Sequence, residues 1–290
     1  MAVAGLAAYD DVEITSIGEN NTRTCDKPVD FPYSGYWLTG AYLDNRPVVC
    51  GGLTDEYRCD SYSFVAKQWK KEATLSRVRE GMQAIVIGEK SLWITGGRAT
   101  GNFTATTEIL EDGQLTEGID LPYRTAFHCL VRLDDTRLFL AGGFSEDPDK
   151  YEKRAFILDL ETDTWTLVGE MKYDRYAHSC GVIQNPLRVV VVGGFSHTNS
   201  RIDYTRTTEI FEVDAESWSE GPSTPDGNVM VGSQAVQYKD TFLQVGGRIT
   251  GETYRIYQFD SANLDWVRRK ERLSKSRSYH AAFQIPASQC

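Results

Sequence analysis

An all-β fold built from repeated units and closed into a ring is predicted by three observations. An apolar strand ending in a glycine pair recurs five times: Val48-Val49-Cys50-Gly51-Gly52, Trp93-Ile94-Thr95-Gly96-Gly97, Phe139-Leu140-Ala141-Gly142-Gly143, Val189-Val190-Val191-Val192-Gly193-Gly194 and Phe242-Leu243-Gln244-Val245-Gly246-Gly247. The second glycines stand at 52, 97, 143, 194 and 247, a spacing of 45 to 53 residues, and a nearly fixed period of this size means a repeat architecture. No stretch carries apolar residues at helical spacing over any length.

Each element of the unit follows from its residues. Four consecutive valines cannot alternate between core and water, so Leu187 to Val192 reads as a strand buried on both faces, ended by two glycines free to take positive φ. A variable loop comes next, then a second, alternating strand: Asp11-Val12-Glu13-Ile14, Thr106-Thr107-Glu108-Ile109, Thr207-Thr208-Glu209-Ile210, with Ala155-Phe156-Ile157-Leu158 and Tyr257-Gln258-Phe259 as variants. A turn rich in Asp, Asn, Glu and Thr leads to Trp69, Trp165, Trp218 or Trp266, with Leu115 and Cys25 near that place in the other units, which fits a hairpin into an outer strand. The next unit opens on segments such as Tyr123-Arg124-Thr125-Ala126-Phe127-His128, Asp174-Arg175-Tyr176-Ala177-His178 and Ser276-Arg277-Ser278-Tyr279-His280. Four short strands per period is the layout of a propeller blade.

The unit of Arg with His or Ser, apolar strand, Gly-Gly, Glu-Ile or Tyr, then Trp resembles the kelch repeat over essentially the whole chain. That resemblance implies a six-bladed β-propeller of four-stranded blades around a central channel. Ala2-Val3-Ala4-Gly5-Leu6 reads as a decayed sixth copy, because Gly5 lies 47 residues before Gly52 and, counted through the chain end, 48 after Gly247. The expected blades are 32–73, 74–120, 121–170, 171–222 and 223–272, with a closing blade that takes its inner strand from 273–290 and its outer three from 1–28. Met1 and Cys290 are then expected side by side, and the closure pairs edges that would otherwise be open.

Composition narrows the function. Five copies of one unit in 290 residues argue for a single array rather than separate cores. No run of 18 apolar residues exists, so insertion in a membrane is not expected. A net charge of −10 argues against nucleic acid or anionic lipid as a partner. The first ten residues carry no basic segment and too short an apolar run for a signal peptide. Asn20 and Asn102 head glycosylation sequons, and six cysteines are an even number.

Cys50 and Cys59 fall at facing ends of neighbouring strands and are expected to form a disulfide; Cys25 and Cys290 both belong to the closing blade and are a second candidate pair. Cys129 and Cys180 each stand 13 residues before the first glycine of their unit, hence on equivalent inner strands, and are expected to be buried free thiols. Arg124, Arg175 and Arg277 share a repeat position, with Arg77 or Arg79 near it in another unit. They read either as a ring that binds a carboxylate at the channel mouth or as partners of the recurring Glu13, Glu108 and Glu209. His128, His178 and His280 recur at one position, which suits a structural role better than a ligand set, and no metal-binding spacing or cofactor motif appears.

The loops after the glycine pairs vary most; they carry His197, Arg201, Tyr204 and Arg206 in one unit and Tyr254 in another. Variable loops on a rigid repeat hold binding surface. The reading is a non-enzymatic scaffold with no assigned catalytic residue. It presents its loops to a protein partner or a glycan, and Arg124, Arg175, Arg277, His178, His280, Tyr204, Arg206 and Tyr254 are its candidate contacts. Two alternatives stand beside it. One is a kelch-type enzyme such as a sugar epimerase or mutarotase; the other is a secreted, disulfide-stapled matrix protein, and an extracellular location is slightly favoured.

Overall fold

A computed structural model describes residues 2–6, 12–17, 28–33, 37–51, 57–99, 102–145, 151–198, 201–227, 230–247, 253–286 and 288. The chain opens with β1 (Ala2–Leu6) and β2 (Val12–Ser16), followed by a sheet of β3 (Leu38–Leu43), β4 (Arg46–Gly51), β5 (Arg58–Ser63) and β6 (Gln68–Thr74). The second sheet holds β7 (Gln83–Ile87), β8 (Ser91–Thr95), β11 (Thr107–Glu111) and β12 (Gln114–Glu117), with a small hairpin of β9 (Arg98–Ala99) and β10 (Asn102–Phe103) between. The third runs β13 (Cys129–Arg132), β14 (Arg137–Phe144), β15 (Tyr151–Asp159) and β16 (Thr164–Glu170). In the fourth, β17 (Ser179–Gln184) and β18 (Leu187–Val192) are separated by the hairpin β19 (Phe195–Thr198) and β20 (Arg201–Tyr204) from β21 (Thr208–Glu212) and β22 (Ser217–Glu220). The fifth contains β23 (Gln234–Tyr238), β24 (Thr241–Val245), β25 (Arg255–Asp260) and β26 (Asp265–Arg272), and β27 (Ala282–Ile285) ends the series. All pairings are antiparallel, and apart from a 3₁₀ turn at Pro225–Gly227 and a 3₁₀ conformation at Ser288 the described residues hold no helix.

The architecture is an all-β propeller with five four-stranded blades. A further sheet is ordered β2-β1-β27: Gly5 pairs with Ala282 and Ala2 with Ile285, so residues from both extremes of the sequence share one ladder. The expectation of six four-stranded blades is corrected to this extent, since the last sheet has three strands among the described residues. Its anticipated outer strand falls largely on residues 18–27, which are polar, carry no tryptophan and lie outside the described residues, as do Met1, Asn20, Cys25 and Cys290.

The second strand of each blade is sandwiched between neighbouring sheets, which is why its sequence is a continuous apolar run. Val189 to Val192 are fully buried, and the outer strands β6, β12 and β22 hold only half-buried and exposed residues. The core is therefore a set of interblade layers. One joins Phe139, Ala141 and Val168 of the third blade to Val189, Val191 and Phe211 of the fourth. Gly181 shows how close the inner strands come, since a Cβ there would stand 2.2 Å from the Phe242 ring.

Cys50 and Cys59 oppose each other directly across β4 and β5 with Cα atoms 4.0 Å apart, at disulfide distance as expected. Cys129 and Cys180 are also at disulfide distance, with Cα atoms 5.9 Å apart, so the expectation of free thiols is corrected. Equal spacing to the glycines concealed a register offset. Cys129 pairs with Ala141, one residue before its glycine pair, whereas Cys180 pairs with Val191, two residues before its own. Successive side chains of a strand point to opposite faces, so the two sulfurs face each other across the blade boundary instead of pointing the same way.

Candidate functional site

Three sheets share a buried clasp at the entry to their first strand. Arg175 Nη1 donates to the carbonyls of Gly193 (2.9 Å) and Thr207 (3.2 Å), and its Nη2 meets Glu209 Oε1 at 2.6 Å; the two side chains are 0% and 2% exposed. The other carboxylate oxygen accepts the backbone N–H of Lys172, just past the outer strand of the preceding blade (2.6 Å). Arg79 repeats this with Gly96, Thr106, Glu108 and Ser76 N, and Arg277 does so with Glu13 and Ser274 N. Each carboxylate thus joins the exit of one blade to the third strand of the next, and Glu13 does it between opposite ends of the sequence.

Thr125, not Arg124, holds the clasp position of the third blade. Its carbonyl accepts Gly97 N as those of Arg175 and Arg277 accept Gly143 N and Gly247 N, while the Arg124 side chain is exposed one residue earlier. Arg79 is the third member of the set.

Two residues beyond each clasp position lies a ring that closes one end of the channel: Trp37, Gly81, Phe127, Ala177, Gly232 and Tyr279 all have φ between +50° and +66°. Trp37 N donates to Tyr279 O, Tyr279 N to Gly232 O, Gly232 N to Ala177 O, Ala177 N to Phe127 O and Phe127 N to Gly81 O, at 2.6 to 3.0 Å. Non-glycine residues in the left-handed region are strained, and here a run of five hydrogen bonds from Trp37 round to Gly81 holds them there.

Aromatic side chains extend from that ring over the loop face. Tyr279 lies 6.0 Å from Trp37, Trp37 5.5 Å from Phe127, and Phe127 6.4 Å from Tyr176. Tyr176 stacks on Phe195 at 4.9 Å, which meets the exposed Tyr204 at 4.9 Å; Phe144 and Tyr151 flank Tyr176. The Arg98 guanidinium sits 5.2 Å from the Phe127 centroid and 5.7 Å from Trp37, and pairs with Glu80 at 2.5 Å. His197 packs edge-on to Tyr151 and its Nδ1 lies 2.9 Å from Asp174 Oδ2. Burial, then the neighbouring Tyr151, pushes the Tyr176 phenol up to about 12, so it stays protonated at any physiological pH.

Beneath the ring is a polar chamber of about 130 Å³ lined by Thr39, Gln83, Ser179, Ser233 and Gln234. It continues past Ala84, Leu130, Cys180, Ala235 and Ala282 into an open cavity of about 830 Å³ at the far ends of the inner strands, near Arg132, Gln184, Gln237 and Gln284. The channel is thus open on the side away from the loops. Neither Arg175 nor Arg277 lines it.

Residues 127–172 match the family model described as the Kelch motif. The chain thus carries a Kelch motif on a propeller fold and is similar to kelch-repeat proteins. It is 25% identical over 181 residues to the kelch repeat and BTB domain-containing protein 12 of Danio rerio, covering 57% of this chain and 28% of that protein. With the kelch-like protein terF of Aspergillus terreus it shares 23% over 223 residues, 71% of this chain and 48% of the other. It therefore spans about a quarter to a half of the length of these curated relatives. The solved structure of YjhT shares the fold, with a TM-score of 0.74 at 14% identity and 92% coverage of each chain.

Of the residues singled out from the sequence, the kelch fold brings together only some. Tyr204 joins the aromatic chain, Arg206 is exposed near Gly227, and Tyr254 is exposed on another loop beneath the Arg272 guanidinium. His178 and His280 are buried under the glycine pairs of the preceding sheets, and burial lowers His280, like His128, to about 3. Asn102 is exposed on the β9–β10 hairpin. Among the described residues no group of three or more His, Cys, Asp or Glu could hold a metal, and no helix is long and apolar enough to cross a membrane.

Sequence reasoning missed Trp37, Phe127, Tyr176, Tyr279 and Arg98. A positional signal existed: Arg98, Phe144 and Phe195 each follow a glycine pair and each bridges the residue after a clasp position, Glu80, Ala126 and Tyr176 respectively.

Proposed function

We propose that the chain is a protein-binding propeller that receives its partner on the loop face. The observation that carries this reading is the continuous aromatic chain from Tyr279 through Trp37, Phe127, Tyr176 and Phe195 to Tyr204, laid over a closed channel end and topped by Arg98. Trp, Tyr and Arg dominate protein interface hot spots, and rigid aromatic side chains lose little entropy on binding. Kelch repeats in the relatives, one of them named for a BTB domain and another for a RING finger domain, fit the use of this fold as an interaction module. The enzyme alternative would need the arginines gathered at a cavity, whereas Arg175 and Arg277 are each committed to a buried carboxylate.

Crosslinked capture with the wild-type chain, with Tyr204→Glu and with Val65→Glu tests the reading. Val65 is 98% exposed in the turn between β5 and β6 and serves as the control. Proteins retained by wild type and Val65→Glu but lost at least tenfold with Tyr204→Glu support it. Equal capture by all three overturns it, and loss of glycan-array binding without loss of protein capture would favour a glycan.

We also read the β2-β1-β27 sheet as a sixth blade. The six left-handed residues of the ring support that count, one from each sheet entry, and the other blades would then span 32–73, 74–120, 121–170, 171–222 and 223–272. A secreted form is a second reading, favoured by two cysteine pairs at bonding distance and by exposed Asn102. Intact mass of the natural protein before and after reduction and deglycosylation checks it: six free thiols and no glycan would count against secretion.

A further inference from the structure

We infer that the Cys129–Cys180 pair is a thiol–disulfide exchange site that small thiols reach through the open end of the channel. The two cysteine pairs differ in where they lie. Cys50 and Cys59 are 0% exposed within one blade and line neither of the two cavities described above, whereas Cys129 and Cys180, also buried, are 3% and 7% exposed. Cys129 lines the inner chamber, and Cys180 lines both the chamber and the 830 Å³ cavity outside it. The cavity admits a molecule the size of glutathione, whereas a protein reductant must bring its own folded surface to the sulfur and is held outside by the rim.

In the exchange, a small thiolate attacks Sγ of Cys180. The bond to Cys129 breaks, its electron pair passes to the Cys129 sulfur, and that sulfur takes a proton from water. A second small thiolate then attacks the small-molecule sulfur of the mixed disulfide and releases Cys180. In balance, two small thiols are oxidised to their disulfide and the protein pair is reduced.

The bond sits where its loss is felt on the loop face. Cys129 follows Phe127 by two residues, Cys180 follows Ala177 by three, and Ala177 N donates to Phe127 O at 3.0 Å directly above. Opening the pair removes the covalent tie between the third and fourth blades under the aromatic chain. Any effect on partner binding rests on the loop-face reading; the exchange itself does not.

The native full-length chain, exposed to reduced glutathione without denaturant and quenched with iodoacetamide, is mapped by mass spectrometry over time. Cys129 and Cys180 are expected to be alkylated at least tenfold faster than Cys50 and Cys59. Reduced thioredoxin at equal thiol concentration should open neither pair at that rate. Ala235→Leu, which narrows the neck, should slow the glutathione reaction at least threefold with no change in Tm. Opening of both pairs at one rate that rises with urea would mean that unfolding controls access and would overturn the inference, as would earlier opening of Cys50–Cys59 or equal rates with thioredoxin. The wild-type comparison alone decides the matter if the variant does not fold.

Discussion

The second, third and fourth blades meet one structural demand in two ways. In the fourth blade a guanidinium satisfies the Gly193 carbonyl and is itself neutralised by Glu209. In the third blade the corresponding residues are Thr125 and Phe156, and the corresponding carbonyl, of Gly142, accepts the phenol of Tyr123 at 2.7 Å. Tyr123 packs on Phe156, and the Arg154 guanidinium lies 5.2 Å from the Tyr123 centroid. The fifth blade puts Met230 and Tyr257 at these places, both within an apolar cluster. A buried carbonyl needs a donor, but the donor need not be charged, and a buried ion pair often adds no more stability than a well-packed apolar pair. What the ion pair adds is a tie to the preceding blade, because its carboxylate also accepts Ser76, Lys172 or Ser274 N–H.

The largest effect should come from breaking one clasp halfway. Arg175→Met leaves Glu209 buried without its cation, and the expected loss is about 3–5 kcal/mol in urea unfolding. The double variant Arg175→Thr with Glu209→Phe transplants the chemistry of the third blade, and Tyr173 stands two residues before Arg175 just as Tyr123 stands two before Thr125. It should recover more than half of that loss. If the double variant is as unstable as the single, the two solutions are not interchangeable and the tie to Lys172 N matters more than packing.

How much of this was legible beforehand follows the same division. The glycine pairs, the outer tryptophans and the sharing of one sheet by both chain ends were written in residue types that recur at one spacing. The recurrence of Glu13, Glu108 and Glu209 likewise marked the clasp partners. Arg124 misled because one extra residue before His128 shifts it out of line with Arg175, and only the carbonyl–glycine hydrogen bonds reveal Thr125 as the equivalent. Cys180 misled for a related reason: four residues join β13 to β14, whereas only Asn185 and Pro186 join β17 to β18, where Gln184 stands opposite Leu187, so counting back from the glycine crosses unequal hairpins. The aromatic chain, half-buried apart from the buried Phe127 and the exposed Tyr204, was unreadable as a unit because its members come from different blades and meet only when the ring closes.

Acid sharpens the comparison further. His128 lies in the unclasped third blade and is lowered to about 3 by burial alone; His280 follows Arg277 and is lowered to about 3 by burial and then by that cation. Their ordinary value is 6.5, so between 6.5 and about 3 the unfolded chain binds the protons that the folded chain refuses. Stability is therefore full above 6.5 and falls as pH drops, by about 1.4 kcal/mol per pH unit for each histidine. Unfolding midpoints between pH 7 and 4 should show His128→Asn flattening that slope by one histidine's share. An unchanged slope would mean that His128 is protonated in the fold.

Tyr123→Phe is the next step down. It removes the donor to Gly142 O without opening a cavity, and about 1–3 kcal/mol should be lost, with no equivalent loss from Tyr173→Phe, since Arg175 and not Tyr173 serves the carbonyl there. Equal losses would mean that the phenol acts through packing and not through the carbonyl.

The smallest effect belongs to the fifth blade. Tyr257 is fully buried at the place of Glu209, yet its hydroxyl reaches the exposed Asp226 Oδ2 at 3.0 Å, which also pairs with Arg255 at 2.9 Å. Because Asp226 keeps its arginine and its water when the hydroxyl is gone, Tyr257→Phe should cost only about 0.5–1.5 kcal/mol by thermal unfolding. A loss comparable with Arg175→Met would show that this blade, too, is held by a polar tie and that the ring of Tyr257 is not the apolar counterpart of Glu209. A loss below 0.5 kcal/mol would show that Tyr257 acts at this place through packing alone.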